Sequence, residues 1–302
     1  MTIKDIARQS GYAVGTVSRV LNGHPDVSDE ARARILAVVE ETGFRPNDNA
    51  RHLKQRGGSG IAVIVKGARN LLFAGILEEM QSLIKAEERA AAVYYLDEDD
   101  NEVEQAIRVC REFKPLGILF LGGNQNNFER GFEHVKCPCV LVTTRADTMD
   151  FKNLSSVSTD DAEGAAQAIR RLTAAGHRRI GVIGGHPCES CGQMGANTSQ
   201  LRLLGCRRGF MGDGISFDEK RQFVATRFSM KGGYDGANVL MDRCPDLTAI
   251  FAMSDVMALG AMRALHDRGL RVPEDVSVMG YDGIEQAEYC VPRLSTVRQR
   301  SE

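Results

Sequence analysis

The segment His186-Pro-Cys188-Glu-Ser-Cys191 brings an imidazole and two thiols close together in the chain. Two cysteines separated by two residues are typical of a metal half-site or a redox pair. The sequence has no second Cys-x-x-Cys that would complete a zinc site. Free structural thiols are therefore the favoured interpretation, and a thiol- or metal-responsive protein that uses Cys188 and Cys191 is the alternative. Cys137 and Cys139 open an apolar run, which predicts core positions.

The sequence lacks the catalytic motifs that can be recognised by their spacing. It contains no GxxxxGK[ST] phosphate loop, no HExxH zinc motif and no GxSxG nucleophile turn. We therefore expect a protein that is not an enzyme and that uses no cofactor and no metal. Thiol exchange at Cys188 and Cys191 is the one enzymatic alternative.

The composition is that of an ordinary globular protein. The 302 residues are 43% hydrophobic and 26% charged, and the formal net charge is −2. No apolar run approaches the roughly 20 residues that a helix needs to cross a bilayer, so we expect no membrane partner. The N-terminus lacks an apolar signal region, which predicts a cytoplasmic protein.

Basic side chains cluster around a linker at residues 46–59. Pro46 blocks a preceding helix because it lacks an amide hydrogen, and Gly57-Gly58-Ser59 is flexible. The segment between them can form about two helical turns, which are unstable alone in water. The basic residues either keep the linker solvated or meet nucleic-acid phosphates; they are Arg45, Arg51, Lys54 and Arg56.

Three short helices are predicted before this linker. Thr2 can cap the first helix and Gly11 ends it, and the second helix covers residues 14–22. Ser28 caps a third helix over residues 29–42. Two helices joined by a tight turn that contains glycine are typical of a helix-turn-helix. An ordinary helical subdomain is the alternative.

From Gly60 onward, apolar strands alternate with amphipathic helices. This alternation predicts parallel βαβ units. The series restarts near residue 158, which predicts two doubly wound lobes. The acidic run Asp97-Glu98-Asp99-Asp100 is predicted to be a solvated turn and not a calcium loop.

These motifs together resemble the LacI (lactose repressor)/GalR family of bacterial transcription regulators. The N-terminal segments that carry the resemblance are Thr2-Ile3-Lys4-Asp5-Ile6-Ala7, Gly11, Thr16-Val17-Ser18-Arg19-Val20-Leu21-Asn22-Gly23, Val27-Ser28 and Gly43-Phe44-Arg45-Pro46-Asn47. Later matches lie at residues 176–180, 249–260, 272–282 and 292–297, so the resemblance covers essentially the whole chain. It implies an α/β protein with an N-terminal three-helix helix-turn-helix DNA-binding head and a hinge helix. Two periplasmic-binding-protein-like lobes with doubly wound parallel sheets follow.

The resemblance also implies domain boundaries. The expected parts are a DNA-binding domain at residues 1–45, a hinge helix and linker at 46–59, and an effector-binding domain at 60–302, whose first lobe takes 60–157 and 293–302 and whose second lobe takes 158–292. Family members continue with a further helix and strands, so we expect this chain to be shortened at its C-terminus.

By the same resemblance, the protein is a homodimer that binds a pseudo-palindromic operator in double-stranded DNA. The second helix enters the major groove, and Leu53 from each hinge helix wedges into the minor groove. Arg19 has the best chemistry for reading a base, because a guanidinium binds guanine bidentately. The DNA-binding positions implied are Val14, Gly15, Thr16, Ser18, Arg19, Asn22, Arg51, Leu53 and Lys54.

A small-molecule effector, a sugar or sugar phosphate, is implied between the lobes. Ligands of parallel sheets bind beyond the carboxyl ends of the strands, where Arg202 and Asp282 can grip sugar hydroxyls from two sides. Asp255 is predicted to be a structural acid at a helix N-terminus. The effector-binding positions implied are Leu72, Phe73, Thr143, Thr198, Arg202, Phe228, Ser254, Asp282 and Gln299.

The expected function is therefore an allosteric transcriptional repressor of carbohydrate-utilisation genes. A solute-binding module without gene control is the alternative, but such a module would carry a signal peptide and no DNA-binding head.

Overall fold

The computed structural model describes residues 3–21, 27–42, 60–67, 70–146, 149–186 and 197–299. The chain divides into two compact units at residue 57. Four of the predicted DNA-binding residues lie outside the described residues; they are Asn22, Arg51, Leu53 and Lys54. The loop with Cys188 and Cys191 also lies outside them.

The described part of the first unit is helical. Its helices are α1 (Ile3–Ser10), α2 (Val14–Leu21) and α3 (Asp29–Thr42). Gly11 has a φ of +79°, a conformation that glycine adopts at low cost, and it ends α1. The three helices enclose a small apolar core that includes Ile6, Val17 and Ile35. The predicted three-helix arrangement is therefore confirmed.

The second unit contains two five-stranded parallel sheets. The first sheet consists of β1 (Ile61–Lys66), β2 (Ala91–Leu96), β3 (Gly117–Leu121), β4 (Cys139–Val142) and β5 (Leu154–Val157). Its strand order is β2-β1-β3-β4-β5. The helices of this lobe are α4 (Leu71–Ala86), α5 (Glu102–Glu112) and α6 (Gln125–Glu129), followed by a 3₁₀ turn at Phe132–His134.

The second sheet repeats the same plan. Its strands are β6 (Ile180–Gly184), β7 (Phe223–Ala225), β8 (Ala249–Ala252), β9 (Ser277–Asp282) and β10 (Ser295–Arg298). Their order, β7-β6-β8-β9-β10, matches that of the first sheet strand for strand. The helices are α7 (Asp161–Ala174), α8 (Thr198–Gly212), α9 (Glu219–Gln222), α10 (Met230–Arg243), α11 (Asp255–Asp267) and α12 (Gln286–Tyr289).

The predicted α/β class with two doubly wound parallel sheets is confirmed by this topology. The central strands are buried on both faces, which explains their continuous apolar runs. The alternation of strands and helices was therefore readable from sequence. Among the described residues, no helix is both long and apolar enough to cross a membrane.

Each sheet has one edge strand that was absent from the sequence-based prediction: β5 in the first sheet and β10 in the second. Each has only four residues, all of them half-buried or exposed, so neither forms an apolar run. The pairing of β10 also corrects a predicted boundary. Residues 293–302 were expected in the first lobe, but Ser295–Arg298 pairs with Met279–Asp282 of β9 in the second sheet.

Helices α10 and α11 approach each other closely through glycines. A Cβ atom at Gly260 would collide with the backbone oxygen of Met230, and a Cβ at Gly233 would collide with that of Met257. Backbone atoms cannot move aside as a flexible side chain can. The second lobe therefore depends on glycine at both positions.

We predict that Gly260→Ala destabilises the protein by about 1–3 kcal/mol, because the added methyl group overpacks the contact with Met230. Gly75→Ala is the matched control. It lies within α4, and a Cβ there meets nothing within 4 Å, so it should stabilise by about 0.5–1 kcal/mol. Urea denaturation of both variants measures the difference. Equal midpoints would contradict the proposed packing constraint.

Candidate functional site

A cavity of about 530 Å³ opens between the two lobes. Its wall includes residues at the carboxyl ends of eight of the ten strands, where each residue ends its strand or follows it. The N-terminal parts of α4 and α8 complete the wall. Parallel strands bring their carboxyl ends to one edge of each sheet, and here the two edges face each other.

Eight of the nine predicted effector residues line this cavity. They are Leu72, Phe73, Thr143, Thr198, Arg202, Phe228, Asp282 and Gln299. Their role in binding stays a prediction. The sequence thus indicated a set of residues, distant in the chain, that the fold brings together.

Ser254 is the exception and does not line the cavity. It is completely buried, and its hydroxyl accepts a hydrogen bond from the amide of Met257 at 3.3 Å, as the N-cap of α11. The prediction of an effector contact at Ser254 is corrected, because helix capping uses this side chain. Asp255 accepts hydrogen bonds from the amides of Gly283 and Ile284 at 2.7 and 2.9 Å. Its predicted structural role is confirmed.

Arg202 is the charged centre of the second lobe. It is only 4% exposed, and its Nε donates to Asp161 Oδ1 at 2.7 Å. Its Nη1 lies 3.5 Å from Asp282 Oδ1, and the guanidinium carbon lies 3.8 Å from the centre of the Tyr281 ring. Removing one partner from a buried ion pair typically costs 3–5 kcal/mol, because the other charge is left uncompensated. Arg202 therefore holds the site together as well as lining it.

Asp282 is buried and only partly satisfied. Its Oδ1 accepts from Gln299 Nε2 at 2.7 Å, whereas its Oδ2 has no hydrogen-bond partner among the described residues. Burial raises the pKa of Asp282 to about 7, although the nearby Arg202 acts in the opposite direction. A buried polar atom without a partner is costly, so this oxygen is suited to a hydroxyl group of a ligand.

Two cavity residues have strained backbones. Thr143 and Asp282 have φ values of +69° and +124°, which cost of order 1–3 kcal/mol for residues other than glycine. Such strain concentrates at binding sites, where the surrounding structure enforces it. Both residues directly end or follow a strand that points into the cavity.

Glu102 organises the first-lobe side of the cavity. It is completely buried and accepts hydrogen bonds from Lys66 Nζ at 2.7 Å, from Asn127 Nδ2 at 2.8 Å and from the amide of Asn124. Lys66 and Asn124 line the cavity. Sequence reasoning missed this group. The available signal was their position, since Lys66 ends β1 and Asn124 comes shortly after β3.

The acidic run after β2 joins the two lobes. Arg227, which follows β7, forms ion pairs with Asp97 at 3.2 Å and with Asp99. The predicted solvated turn is confirmed, because Asp97, Asp99 and Asp100 are exposed in a turn; the sequence did not predict that two of its carboxylates bind an arginine of the opposite lobe. Arg227 and Asp97 are nearly half exposed, and such pairs contribute roughly 0–1 kcal/mol.

In the first unit, α2 carries the predicted base-reading positions. Val17 and Val20 face the core, whereas Gly15 and Arg19 are exposed four residues apart on the outer face. Thr16 is half-buried, and Val14 and Ser18 belong to the same helix. The DNA contacts of α2 stay predictions.

Comparisons with known proteins match both units. Residues 2–47 match the model of bacterial regulatory proteins of the lacI family, and residues 153–302 match that of the periplasmic binding protein-like domain. The chain is 35% identical to the transcriptional regulator MalR of Clostridium butyricum over 99% of its own length and 88% of the relative's. The chain belongs to the LacI family of bacterial regulatory proteins. The resemblance seen in the sequence is thus confirmed.

Other members of the LacI family agree with this assignment. The ribose operon repressor of Haemophilus influenzae is 31% identical over 99% of this chain and 86% of its own. The solved complex of the regulator CelR with cellobiose has a TM-score of 0.69 at 28% identity, covering all of this chain and 88% of that one. A lac repressor dimer bound to operator has a TM-score of 0.65 at 22% identity and supports the fold alone.

We predict that the wild type loses stability relative to Asp282→Asn as the pH rises from about 4 to about 7. The folded pKa lies above the ordinary value of 3.8, so the folded state keeps a proton that the unfolded chain releases. Each unit of pKa difference corresponds to about 1.4 kcal/mol. Urea denaturation at several pH values measures the effect.

Asp275→Asn is the matched control. The hydrogen bonds from Arg271 lower the pKa of exposed Asp275 to about 2. The stability that its ionised carboxylate contributes is therefore lost only as the pH falls from the ordinary value of 3.8 to about 2. Its difference from the wild type should be constant above pH 5. A constant difference for Asp282→Asn as well would mean that burial does not raise the pKa of Asp282.

Proposed function

We propose that the protein is a transcriptional repressor whose affinity for operator DNA is controlled by a sugar bound between its two lobes. One observation carries the proposal: a single chain holds both a three-helix head of the LacI type and a two-lobed unit with a polar cavity. A solute-binding module would have no use for the head. The relatives named above are a transcriptional regulator and an operon repressor, and we propose that class instead of an enzyme, acting in the bacterial cytoplasm.

The proposed DNA partner is a pseudo-palindromic operator bound by a homodimer. In each subunit α2 enters the major groove, where Arg19 reads a guanine, Thr16 and Ser18 contact phosphates, and Val14 and Gly15 face the bases. The hinge residues Arg51 and Lys54 add phosphate contacts, Leu53 wedges into the central minor groove, and Asn22 assists at the end of the helix. The solved lac repressor dimer with operator supports the arrangement at the level of the fold.

A sugar is the ligand class that the cavity fits best. The cavity's volume of about 530 Å³ lies within the usual range for small-molecule pockets. Phe73 and Phe228 offer apolar faces, while Asp282, Gln299 and Thr198 offer hydrogen-bonding groups. The CelR–cellobiose complex makes a disaccharide the first candidate. Lys66 at the cavity wall favours a sugar phosphate as the second.

Closure of the lobes links the cavity to the DNA-binding head in this proposal. A ligand that contacts both lobes favours the closed state, and the closed state sets the separation of the two hinges. The ion pairs of Arg227 with Asp97 and Asp99 span the lobes and contribute to the same equilibrium. By linkage, operator DNA changes the affinity for the sugar by the same factor as the sugar changes the affinity for DNA.

Arg19→Ala should weaken operator binding by about 5- to 150-fold, since a bidentate arginine–guanine pair is worth about 1–3 kcal/mol. Arg34→Ala is the control, because Arg34 is an exposed arginine of α3 and is not a predicted base reader. Fluorescence anisotropy with an operator selected from a random DNA library measures both. If no sequence is enriched in the selection, the proposed function fails. If Arg19→Ala binds normally, only the assignment of Arg19 fails.

Titration with cellobiose, maltose, ribose and glucose 6-phosphate should give saturable binding of at least one compound and a change in operator affinity.

Arg227→Ala should lower the affinity for the bound compound about 2- to 5-fold and reduce the dependence of this affinity on salt, because exposed ion pairs are screened. Arg221→Ala should change neither, because Arg221 is an exposed arginine of α9 that precedes β7 and does not line the cavity. Calorimetry at low and high salt, roughly 50 and 500 mM, separates these outcomes because surface charges are screened far more strongly at the higher concentration. Binding by Arg227→Ala equal to the wild type would remove the interlobe pair from the closure equilibrium.

A further inference from the structure

Three thiols meet at the amino-terminal edge of the first sheet, away from the cavity. Cys110 lies in the last turn of α5, Cys137 precedes β4, and Cys139 is the first residue of β4. The sulfur atoms of Cys110 and Cys137 are 3.8 Å apart, although the two residues are separated by 27 positions in the chain. A disulfide bond is about 2.05 Å long, so the two sulfur atoms must approach each other by roughly 1.8 Å to form one.

The fold holds these thiols in place from both sides. Asn153 Nδ2 donates to the backbone oxygens of Val135 and Cys137 at 2.9 and 3.0 Å. The amide of Cys139 donates to the oxygen of Asn153 at 2.8 Å. The segment with Cys137 is therefore fixed against β5, while α5 fixes Cys110. The short distance between the sulfurs follows from the packing of two ordered elements.

The two thiols have opposite chemical character. A hydrogen bond with Cys139 lowers the pKa of Cys137 to about 6, and a further bond with Cys110 helps to offset the effect of burial. Burial and the facing sulfur raise the pKa of Cys110 to about 11. Cys110 also lies at a helix C-terminus, where the dipole disfavours a thiolate. Both side chains are half-buried, so a small reagent can reach them.

We propose that Cys137 and Cys110 form an oxidisable dithiol, with Cys137 as the nucleophile toward a hydroperoxide and Cys110 as the resolving thiol. The Cys137 thiolate attacks the peroxide; an S–O bond forms, the O–O bond breaks, and the departing alkoxide or hydroxide takes up a proton. Cys137 is then a sulfenic acid. The sulfur of Cys110 attacks it; the S–S bond forms, the S–O bond breaks, and the released hydroxide takes the Cys110 proton to give water. Two thiols lose two electrons, and the hydroperoxide becomes an alcohol or water.

This site is distinct from the cavity, which lies at the opposite, carboxyl-terminal edge of the sheet. Its residues also differ from Cys188 and Cys191, the thiol pair that the sequence offered only as an alternative. Buried Cys206 shows the contrast. Burial raises its pKa, and no second cysteine shares a described hydrogen bond with it, so it has neither a reactive thiolate nor a resolving partner.

The test uses the full chain with Cys188→Ser and Cys191→Ser, so that this pair cannot compete. Hydrogen peroxide treatment followed by alkylation and non-reducing peptide mass spectrometry should yield a Cys110–Cys137 disulfide. Adding Cys110→Ser should instead leave a sulfenic acid on Cys137 that dimedone traps. Adding Cys137→Ser should abolish both products and slow peroxide consumption by roughly tenfold or more, because thiolate is the reactive form.

Cys290→Ser is the matched control, since Cys290 is also a half-buried cysteine but bonds only to backbone oxygens; it should react like the parent. Thermal denaturation of the reduced proteins checks that every variant is folded. Iodoacetamide alkylation of Cys137 should have a midpoint near pH 6. A disulfide between Cys137 and Cys139, or peroxide consumption by Cys137→Ser at the parent rate, would overturn the proposal.

Discussion

The second lobe depends on one buried arginine. Arg202 joins Asp161 at the start of α7 to Asp282 at the end of β9, while it projects from α8 and covers the ring of Tyr281. Three elements that are distant in sequence thus share one charge in a region of low dielectric constant. The strained backbone at Asp282 and its unpartnered oxygen persist because this network over-determines the position of the carboxylate.

The first lobe contains a comparable network of buried polar contacts. Glu102, at the start of α5, fixes Lys66 and Asn124 at the cavity wall. Each face of the cavity is therefore built on a buried charge with several bonds, whereas the ion pairs that span the two faces are exposed. Strong bonds within each lobe and weak bonds between them favour movement of the lobes as rigid bodies.

Much of this architecture was predictable because the relevant signals are local. Apolar runs such as Ile61–Val65 and Ala249–Ala252 fix central strands, and Gly11 marks the end of α1. Edge strands β5 and β10 were missed because they are short and half exposed. The site was predicted where resemblance supplied positions, and missed at Glu102, Arg227 and the Cys110–Cys137 pair. These contacts join residues 22 to 130 positions apart, and no local pattern encodes which partners meet.

The shared strand order of the two sheets has an evolutionary consequence. The cavity wall is distributed over many short segments that leave the strands, while the cores that hold the fold lie among the strands and helices. A substitution at a wall position outside the buried Arg202 and Glu102 networks alters a single part of the wall and leaves the rest of the scaffold intact. A lineage with this fold can therefore acquire new ligands through single substitutions while the fold is retained. Divergence of this kind agrees with the names of the relatives. One is a ribose operon repressor, and another was solved in complex with cellobiose.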